Sequence, residues 1–211
     1  MQILVATTNA GKLREYQRLF SDIAGLELHS LASLPEPIDV VEDCDSFYGN
    51  ALKKATEIAA RAGVPCLADD SGLEVDGLGG GPGVLSARYA GEDATDLQNN
   101  EKLLSELSGV SGEGRKARFR CTIVLVDRDG RELAVVEGTC EGHIGREPRG
   151  RHGFGYDPLF IPEGYAKTMA ELSPETKNAI SHRAKAAAKM APLLRALQNG
   201  EPSATPAPKP R

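Results

Sequence analysis

The chain alternates short apolar runs with segments in which apolar residues recur every three or four positions. Residues 2–6 form a short apolar run that predicts a buried strand, and residues 26–31 predict a second strand. Residues 12–20 and 46–62 show apolar positions at helical spacing, which predicts two amphipathic helices. Strands that alternate with helices in this way favour a mixed α/β fold.

The second half of the chain continues this alternation. Residues 65–68 predict a strand that ends at residues 69–72, whose types favour a turn. A polar turn between two apolar runs further along predicts a β-hairpin. The predicted elements are a helix over residues 92–107, hairpin strands over 119–126 and 132–140, and a helix over 178–198 that Pro192 is expected to kink or interrupt.

The pattern predicts one domain over residues 1–199. We expect an α/β domain with a mixed sheet flanked by helices and two lobes around a central cleft, and the sequence shows no internal repeat. Residues 200–211 are rich in proline and poor in large apolar side chains, so they predict a flexible tail.

Composition narrows the range of functions. The net charge of −5 argues against a general nucleic-acid-binding protein, which needs a broad basic surface. No apolar run approaches the roughly 18 residues that a membrane helix needs, and the N-terminus lacks signal-peptide features, so we expect a cytoplasmic protein. The four cysteines show no spacing typical of zinc sites, and we expect reduced, structural thiols.

A loop rich in hydroxyl, amide and glycine residues lies between the first predicted strand and the first predicted helix. Its turn amides, its lysine and the N-terminus of the following helix suit the oxygens of a phosphate group. The loop lacks the spacing of a Walker A motif, and an ordinary capped helix is the alternative interpretation. The candidate phosphate-binding residues are Thr7, Thr8, Asn9, Ala10, Gly11 and Lys12.

Glu42 and Asp70 are candidates for a magnesium site, and Asp69 lies beside Asp70. Asp69 and Asp70 follow the predicted strand over residues 65–68, and Glu42 precedes the predicted helix over residues 46–62. Open α/β sheets bind ligands at the carboxyl ends of their strands, and Mg²⁺ takes one or two carboxylates together with phosphate oxygens and water. The alternative is an ordinary turn at Asp69 and Asp70.

A polar pair on the predicted helix over residues 46–62 is a further candidate. Asn50 and Lys54 lie four residues apart, so they share one face of that helix. From this face Lys54 can reach a phosphate group. The alternative is a solvated polar face, which amphipathic helices commonly present.

A glycine-flanked aromatic segment is the most unusual local pattern. Gly153 and Gly155 permit a bent backbone, and Phe154 or Tyr156 can stack on a nucleobase. Asp157 can accept a hydrogen bond from a base or a ribose. The alternative is a tight turn that anchors its aromatic side chains in the core.

Polar and basic residues precede the last predicted helix. Asn178 or Ser181 can cap this helix, and Lys177 and Arg183 add positive charge near its start. His182 by itself is weak evidence for a catalytic site, because a lone histidine is more often structural than catalytic.

Taken in order, these segments resemble the inosine triphosphate pyrophosphatase family, which acts on noncanonical purine nucleotides. The likeness extends from about residue 3 to residue 198, and GFGYDP followed by KNAISHR is its most specific feature. The matching segments are TNAGK at 8–12, EDCDSFYGNA at 42–51, ADDSGLEVDGLGGGPGVLSARYAGEDA at 68–94, KARFRCTIVL at 116–125, GFGYDPLF at 153–160 and AELSPETKNAISHRAKA at 170–186.

The resemblance implies a Mg²⁺-dependent homodimeric enzyme that converts ITP, dITP and XTP to the monophosphate and pyrophosphate in a central nucleotide-binding cleft. It implies that residues 7–12 hold the triphosphate, that Glu42 and Asp70 hold Mg²⁺, and that Asp70 also activates water. Ser71 and Lys54 would contact the substrate. The pocket for the base and phosphates would consist of Phe154, Gly155, Tyr156, Asp157, Lys177, His182 and Arg183.

Two positions depart from the family pattern E-x-G-x-[ST]-F-x-E-N-A. Cys44 stands where the family has glycine, and Gly49 stands where it has a second glutamate. If that glutamate helps to arrange the metal shell, Gly49 weakens Mg²⁺ binding or leaves the role to water. We therefore expect activity to persist with a somewhat lower affinity for Mg²⁺.

Three other functions are weighed against this interpretation. Related pyrophosphatases that act on dTTP and UTP begin with a serine-rich loop ending in arginine, whereas this chain has NAGK at 9–12 and the GFGYDP segment. A nucleotide-binding regulatory module without turnover would be expected to lose Asp70 or Glu42, and both are present. A nucleic-acid-binding protein is disfavoured by the net charge and by the absence of a basic stripe.

Overall fold

A computed structural model describes residues 1–200 of the 211-residue chain. The predicted tail over residues 200–211 therefore lies outside the described residues except for Gly200. The strands are β1 (Gln2–Val5), β2 (Glu27–Ser30), β3 (Cys66–Val75), β4 (Lys116–Val126), β5 (Glu132–Ile144) and β6 (Phe160–Pro162). The α-helices are α1 (Ala10–Leu19), α2 (Phe47–Ala62), α3 (Asp96–Glu106), α4 (Pro174–Ile180) and α5 (His182–Gln198).

The strands form one mixed sheet in the order β2-β1-β3-β4-β5-β6. β1 is parallel to both β2 and β3, whereas β5 and β6 are antiparallel. A parallel pair needs a crossover connection, and α1 supplies it between β1 and β2. The loop between β1 and α1 therefore lies at the carboxyl end of β1, where open α/β sheets bind ligands. The predicted α/β class with a mixed sheet is confirmed.

Local sequence signals explain the bounds of α2. The Ser46 side chain accepts a hydrogen bond from Gly49 N at the start of the helix, and Gly63 ends it in the left-handed conformation at φ 69°. The apolar stripe of the helix is buried. These features lie within the helix and at its two ends, and the predicted helix over residues 46–62 is confirmed.

Three local predictions were wrong. β3 continues to Val75, so residues 69–72 lie inside a strand and form neither its end nor a turn. α3 begins at Asp96 rather than at residue 92, because Thr95 forms a capping box with Gln98. The predicted last helix is two helices, since Ser181 separates α4 from α5, and α5 continues through Pro192.

The chain divides into two compact units. Unit 1 contains Met1–Asp70, Thr122–Glu137 and residues 185–200, and unit 2 contains Ser71–Cys121 and Gly138–Ala184. Each unit has its own buried apolar cluster. The cluster of unit 1 includes Leu4, Ala51, Ile58, Ala68 and Val124, and that of unit 2 includes Leu73, Leu103, Phe119, Tyr156 and Phe160.

The four cysteines carry free thiols, as predicted. Three of them are buried and Cys44 is half-buried. Burial raises the pKa of the Cys66 thiol to about 12, so this side chain stays protonated and behaves as an apolar group. None of the helices within residues 1–200 combines the length and the apolar character that crossing a membrane requires.

Candidate functional site

The loop between β1 and α1 is organised by its own polar side chains. The Asn9 side chain is the N-cap of α1, and its Oδ1 accepts from Gly11 N at 2.7 Å and from Lys12 N at 3.2 Å. Thr7 Oγ1 accepts from Asn9 N at 3.1 Å, which fixes the start of the turn. The capped-helix interpretation is therefore confirmed for Asn9. Thr8, Ala10 and Gly11 are exposed.

Two lysines of unit 1 are paired with carboxylates. Lys12 Nζ lies 2.6 Å from Asp69 Oδ1, and Lys54 Nζ lies 2.8 Å from Glu42 Oε1. Asp69 is 1% exposed, whereas Glu42 and Lys54 are half-buried. A carboxylate as deeply buried as Asp69 needs a charged or hydrogen-bonded partner, and Lys12 provides one. Glu42 is therefore tied to α2 and Asp69 to α1.

Asp70 is held by a buried amide on α2. Asn50 is 1% exposed, and its Nδ2 donates to Asp70 Oδ2 at 3.0 Å. Its Oδ1 accepts from Cys44 N at 2.9 Å. Because Asn50 and Lys54 are four residues apart, they lie on one face of α2. The carboxylates of Asp70 and Glu42 therefore contact the same face of the helix.

Part of the polar face of α2 contacts acidic side chains. Asn50 and Lys54 contact the two residues predicted to hold the metal, so the alternative of a solvated face is wrong for this pair. Asp70 and Ser71 are both half-buried in β3. Within residues 1–200, no group of three or more histidine, cysteine, aspartate or glutamate side chains is placed to hold a metal ion.

In unit 2, the aromatic segment over residues 153–157 is a tightly bonded turn. Asp157 Oδ2 accepts from Phe154 N at 2.9 Å and also pairs with the Lys177 ammonium group. The Tyr156 hydroxyl donates to Ser86 O at 2.8 Å, and burial raises the pKa of this phenol, so it stays protonated. Tyr156 and Asp157 are buried, whereas Phe154 is 60% exposed. Tyr156 thus anchors the turn.

The exposed Phe154 ring lies beside a cation. Lys177, which is on α4, places its Nζ 4.7 Å from the centroid of this ring. Such a contact holds the ring by attraction between the ammonium group and the aromatic face. Phe154 therefore has one side against a charged group while most of its surface is open to solvent.

The remaining predicted residues lie at the start of α5. Ser181 Oγ accepts from Ala184 N at 3.1 Å and so caps this helix, as predicted. His182 stacks on Phe119, with 4.9 Å between the ring centroids, and both His182 and Arg183 are buried. His182 therefore packs against Phe119 by ring stacking.

The sequence profile of the Ham1 family matches residues 3–193. The chain belongs to the Ham1 family. This confirms the family resemblance that the motifs indicated.

Ham1 relatives cover nearly the whole chain. A dITP/XTP pyrophosphatase of Geobacillus kaustophilus (strain HTA426) is 54% identical over 189 residues, which is 90% of this chain and 92% of that protein. A dITP/XTP pyrophosphatase of Bacillus subtilis (strain 168) is 47% identical over 195 residues, covering 92% and 98%. Among solved structures, a HAM1 protein from Coxiella burnetii aligns with a TM-score of 0.85 at 40% identity, covering 92% of this chain and 98% of that one.

Sequence patterns did not predict the contacts of two residues of this Ham1 chain, Asn50 and Asp69. Asn50 was noted only as a neighbour of Lys54, and Asp69 only as a neighbour of Asp70. The available signal for Asn50 was its place three residues after Phe47 and next to Ala51, both on the apolar side of the helix. The signal for Asp69 was an acid directly after an apolar strand run, which indicates burial as much as metal binding.

The two departures from the family pattern are in contact. A Cβ atom at residue 49 would lie 2.8 Å from the Cβ of Cys44 and 3.0 Å from the Oγ of Ser46. The Cys44 side chain therefore fills the space that a side chain at residue 49 would need. Residues 44 and 49 are therefore sterically coupled, and a glutamate at residue 49 is compatible only with a smaller residue at 44.

Proposed function

We propose that this chain is a Mg²⁺-dependent nucleoside triphosphate pyrophosphatase that hydrolyses ITP, dITP and XTP to the monophosphate and pyrophosphate, acting as a cytoplasmic homodimer. The observation that carries the proposal is a set of three polar pairs in unit 1, in which two lysines and a buried amide hold three carboxylates. The relatives from Geobacillus kaustophilus and Bacillus subtilis, both dITP/XTP pyrophosphatases, support the substrate class.

The two lysines suit a triphosphate. A triphosphate carries about four negative charges, which repel an attacking water molecule. Lys12 and Lys54 are each paired with a carboxylate in unit 1, so both ammonium groups are held in place before the substrate binds. Phosphate oxygens that approach them meet preorganised positive charge, which stabilises the negative charge that develops during cleavage. Thr7, Thr8, Asn9, Ala10 and Gly11 supply the polar loop beside Lys12.

The carboxylates suit a hard divalent cation. Glu42 and Asp70 contact one face of α2, and Mg²⁺ needs only one or two carboxylates when phosphate oxygens and water complete its shell. These two residues would hold the ion. When bound, Mg²⁺ supplies neutralisation of the phosphate oxygens and orientation of the triphosphate.

Asp70 is the proposed base for the attacking water. Its carboxylate accepts a proton from the water, whose oxygen forms a bond to the α-phosphorus. The bond from the α-phosphorus to the bridging oxygen then breaks, and the electron pair leaves with pyrophosphate. Asn50 Nδ2 orients the Asp70 carboxylate through its bond at 3.0 Å, and Ser71 contacts the substrate from the next position of β3.

The aromatic turn of unit 2 is the proposed base-recognition element. Phe154 stacks on the purine, and Lys177, His182 and Arg183 with residues 155–157 complete the pocket for the base and phosphates. A donor such as Arg183 or a backbone amide would bind the O6 atom of a 6-oxopurine. Adenine places a donor at that position and would leave the protein donor unpaired, which explains selection against ATP.

A product assay with five nucleotides tests the proposed function. Purified protein with Mg²⁺ receives ITP, XTP, ATP, GTP or dTTP, and the products are resolved as monophosphate with pyrophosphate or diphosphate with phosphate. We expect pyrophosphate from ITP and XTP and little from ATP or GTP. Release of phosphate, or equal rates with all five nucleotides, would contradict the proposal, and preferential cleavage of dTTP would favour the pyrimidine-specific relatives.

The coupled residues 44 and 49 allow a test of metal affinity. Gly49→Ala in the natural background should lower the free energy of unfolding by about 1–3 kcal/mol, because its Cβ overlaps Cys44. In the Cys44→Gly background the cost should be far smaller. The double variant Cys44→Gly, Gly49→Glu should then bind Mn²⁺, a probe for Mg²⁺, more tightly than Cys44→Gly alone. Equal affinity in titrations followed by Mn²⁺ spin resonance would remove residue 49 from the metal shell.

A further inference from the structure

Helix α3 holds the aromatic turn through the backbone of one glycine. Gly155 N donates to Asp96 Oδ2 at 2.6 Å, and Asn100 Nδ2 donates to Gly155 O at 2.9 Å. Asp96 and Asn100 are four residues apart on α3, so they lie on one face of the helix. Together they fix both peptide groups of Gly155. We call this pair of side chains the α3 clamp.

The clamp acts on a glycine, whose backbone has wide conformational freedom. Gly155 adopts a left-handed conformation at φ 59°, and a Cβ there would meet nothing within 4 Å. Steric packing therefore does not restrain this residue, whereas the two hydrogen bonds to Asp96 and Asn100 do. On one side of Gly155 lies the exposed Phe154, and on the other lies the buried Tyr156. The peptide planes that the clamp fixes thus help to set the direction of the Phe154 ring, together with the contacts that Phe154 makes with Asp157 and Lys177.

The buried amide of Asn100 is unfavourable for the stability of the fold. The residue is 8% exposed, and its Oδ1 is buried without a hydrogen-bond partner in the part of the chain that the structure describes. A buried carbonyl oxygen without a donor lowers the free energy of unfolding relative to an apolar side chain of similar size. The other end of the amide makes a hydrogen bond, which Nδ2 donates to Gly155 O. Positions that sacrifice stability in this way are typical of functional sites.

We propose that Asp96 and Asn100 are positioning residues for base recognition, which act on the Phe154 ring through Gly155 and do not touch the substrate. The inference rests on the proposed stacking of Phe154 on the purine. Preorganised binding groups lower the entropy that is lost on binding, so a loosened turn should weaken nucleotide binding. Because Asp96 and Asn100 contact no reacting atom, kcat should change little.

The neighbouring Asn99 supplies a matched control. Its Oδ1 accepts from Ala90 N at 2.8 Å and its Nδ2 donates to Ala87 O at 3.0 Å, so its amide is bonded at both ends. Neither bond involves residues 153–157. Asn99→Leu therefore removes the same side-chain chemistry from the same helix without altering the clamp.

The test compares KM, kcat and Tm in four variants. Asn100→Leu should raise the KM for ITP about fivefold to tenfold while Tm stays equal or rises, whereas Asn99→Leu should lower Tm and leave KM unchanged. Asp96→Ala should raise KM about tenfold, and Asp96→Asn, whose amide oxygen can still accept from Gly155 N, should restore most of the affinity.

The outcomes separate this inference from the proposed function. An unmodified protein that does not release pyrophosphate from ITP overturns both. An active protein whose KM is the same in Asn100→Leu, Asp96→Ala and the parent overturns the inference alone. Equal losses of Tm in Asn100→Leu and Asn99→Leu, or a fall in kcat without a rise in KM, would also overturn it, because the clamp would then be merely structural or catalytic.

Discussion

Replacing Asp70 by asparagine should reduce kcat for pyrophosphate release from ITP by about a thousandfold or more. The variant keeps the size of the side chain but removes the negative charge that would accept a proton and bind Mg²⁺. Asn50 Nδ2 donates to Asp70 Oδ2, and an asparagine oxygen can accept the same bond, so the fold should be retained. Steady-state rates and calorimetric binding of ITP check the expectation that turnover is lost while nucleotide binding persists.

Asp129→Asn is the matched control for this variant. It makes the same change of charge in an exposed turn, where Asp129 donates its backbone N–H to Asp127 Oδ1. Its rates should equal those of the unmodified protein. Turnover that survives in Asp70→Asn would remove Asp70 from the mechanism, and loss of nucleotide binding would make its role one of binding alone.

Gly153→Ala should raise the KM for ITP at least about tenfold and lower the free energy of unfolding by about 1–3 kcal/mol. Gly153 has φ 85°, and a Cβ at this residue would overlap Asp157 Oδ2. That oxygen already bonds Phe154 N and Lys177 and is buried, so it cannot move without breaking both contacts. The substitution therefore disturbs the Phe154 and Lys177 side chains together. Enzyme kinetics and denaturant unfolding measure the two effects.

Gly164→Ala separates backbone strain from loss of the turn. Gly164 has φ 81°, close to that of Gly153, and a Cβ there would meet nothing within 4 Å. It should lose about 1–2 kcal/mol of stability from the left-handed conformation alone, with an unchanged KM. If Gly153→Ala and Gly164→Ala lose equal stability and both leave KM unchanged, the overlap between residue 153 and Asp157 does not affect nucleotide binding.

The elements that the sequence predicts well are those whose signals are local. The helix over residues 46–62 is one example, because its apolar spacing, the Ser46 cap and the Gly63 stop all lie within it or at its ends. The turn over residues 153–157 is another, since Asp157 bonds a backbone group only three residues away. Such interactions form at short chain separation and need little help from the rest of the fold.

The two errors in element bounds have different causes. Residues 69–72 have turn-forming types, yet they continue β3 because neighbouring strands satisfy their extended backbone. The start of α3 was placed too early because the Thr95 capping box, and not the spacing of apolar residues, decides the boundary. The first error thus reflects long-range strand pairing, and the second reflects a local polar cap.

By itself, the sequence determined the α/β class, the Ham1 family and the candidate residues, because these depend on periodicity and on motifs read in order. Only the tertiary structure decided how those residues are paired. The structure pairs Lys12 with Asp69 and Asn50 with Asp70, which lie on different elements. It also places the Cys44 side chain in the space that a side chain at residue 49 would need. The physical reason is that burial of a charge or an amide is favourable only with its partner in place, and the packing of distant elements supplies that partner.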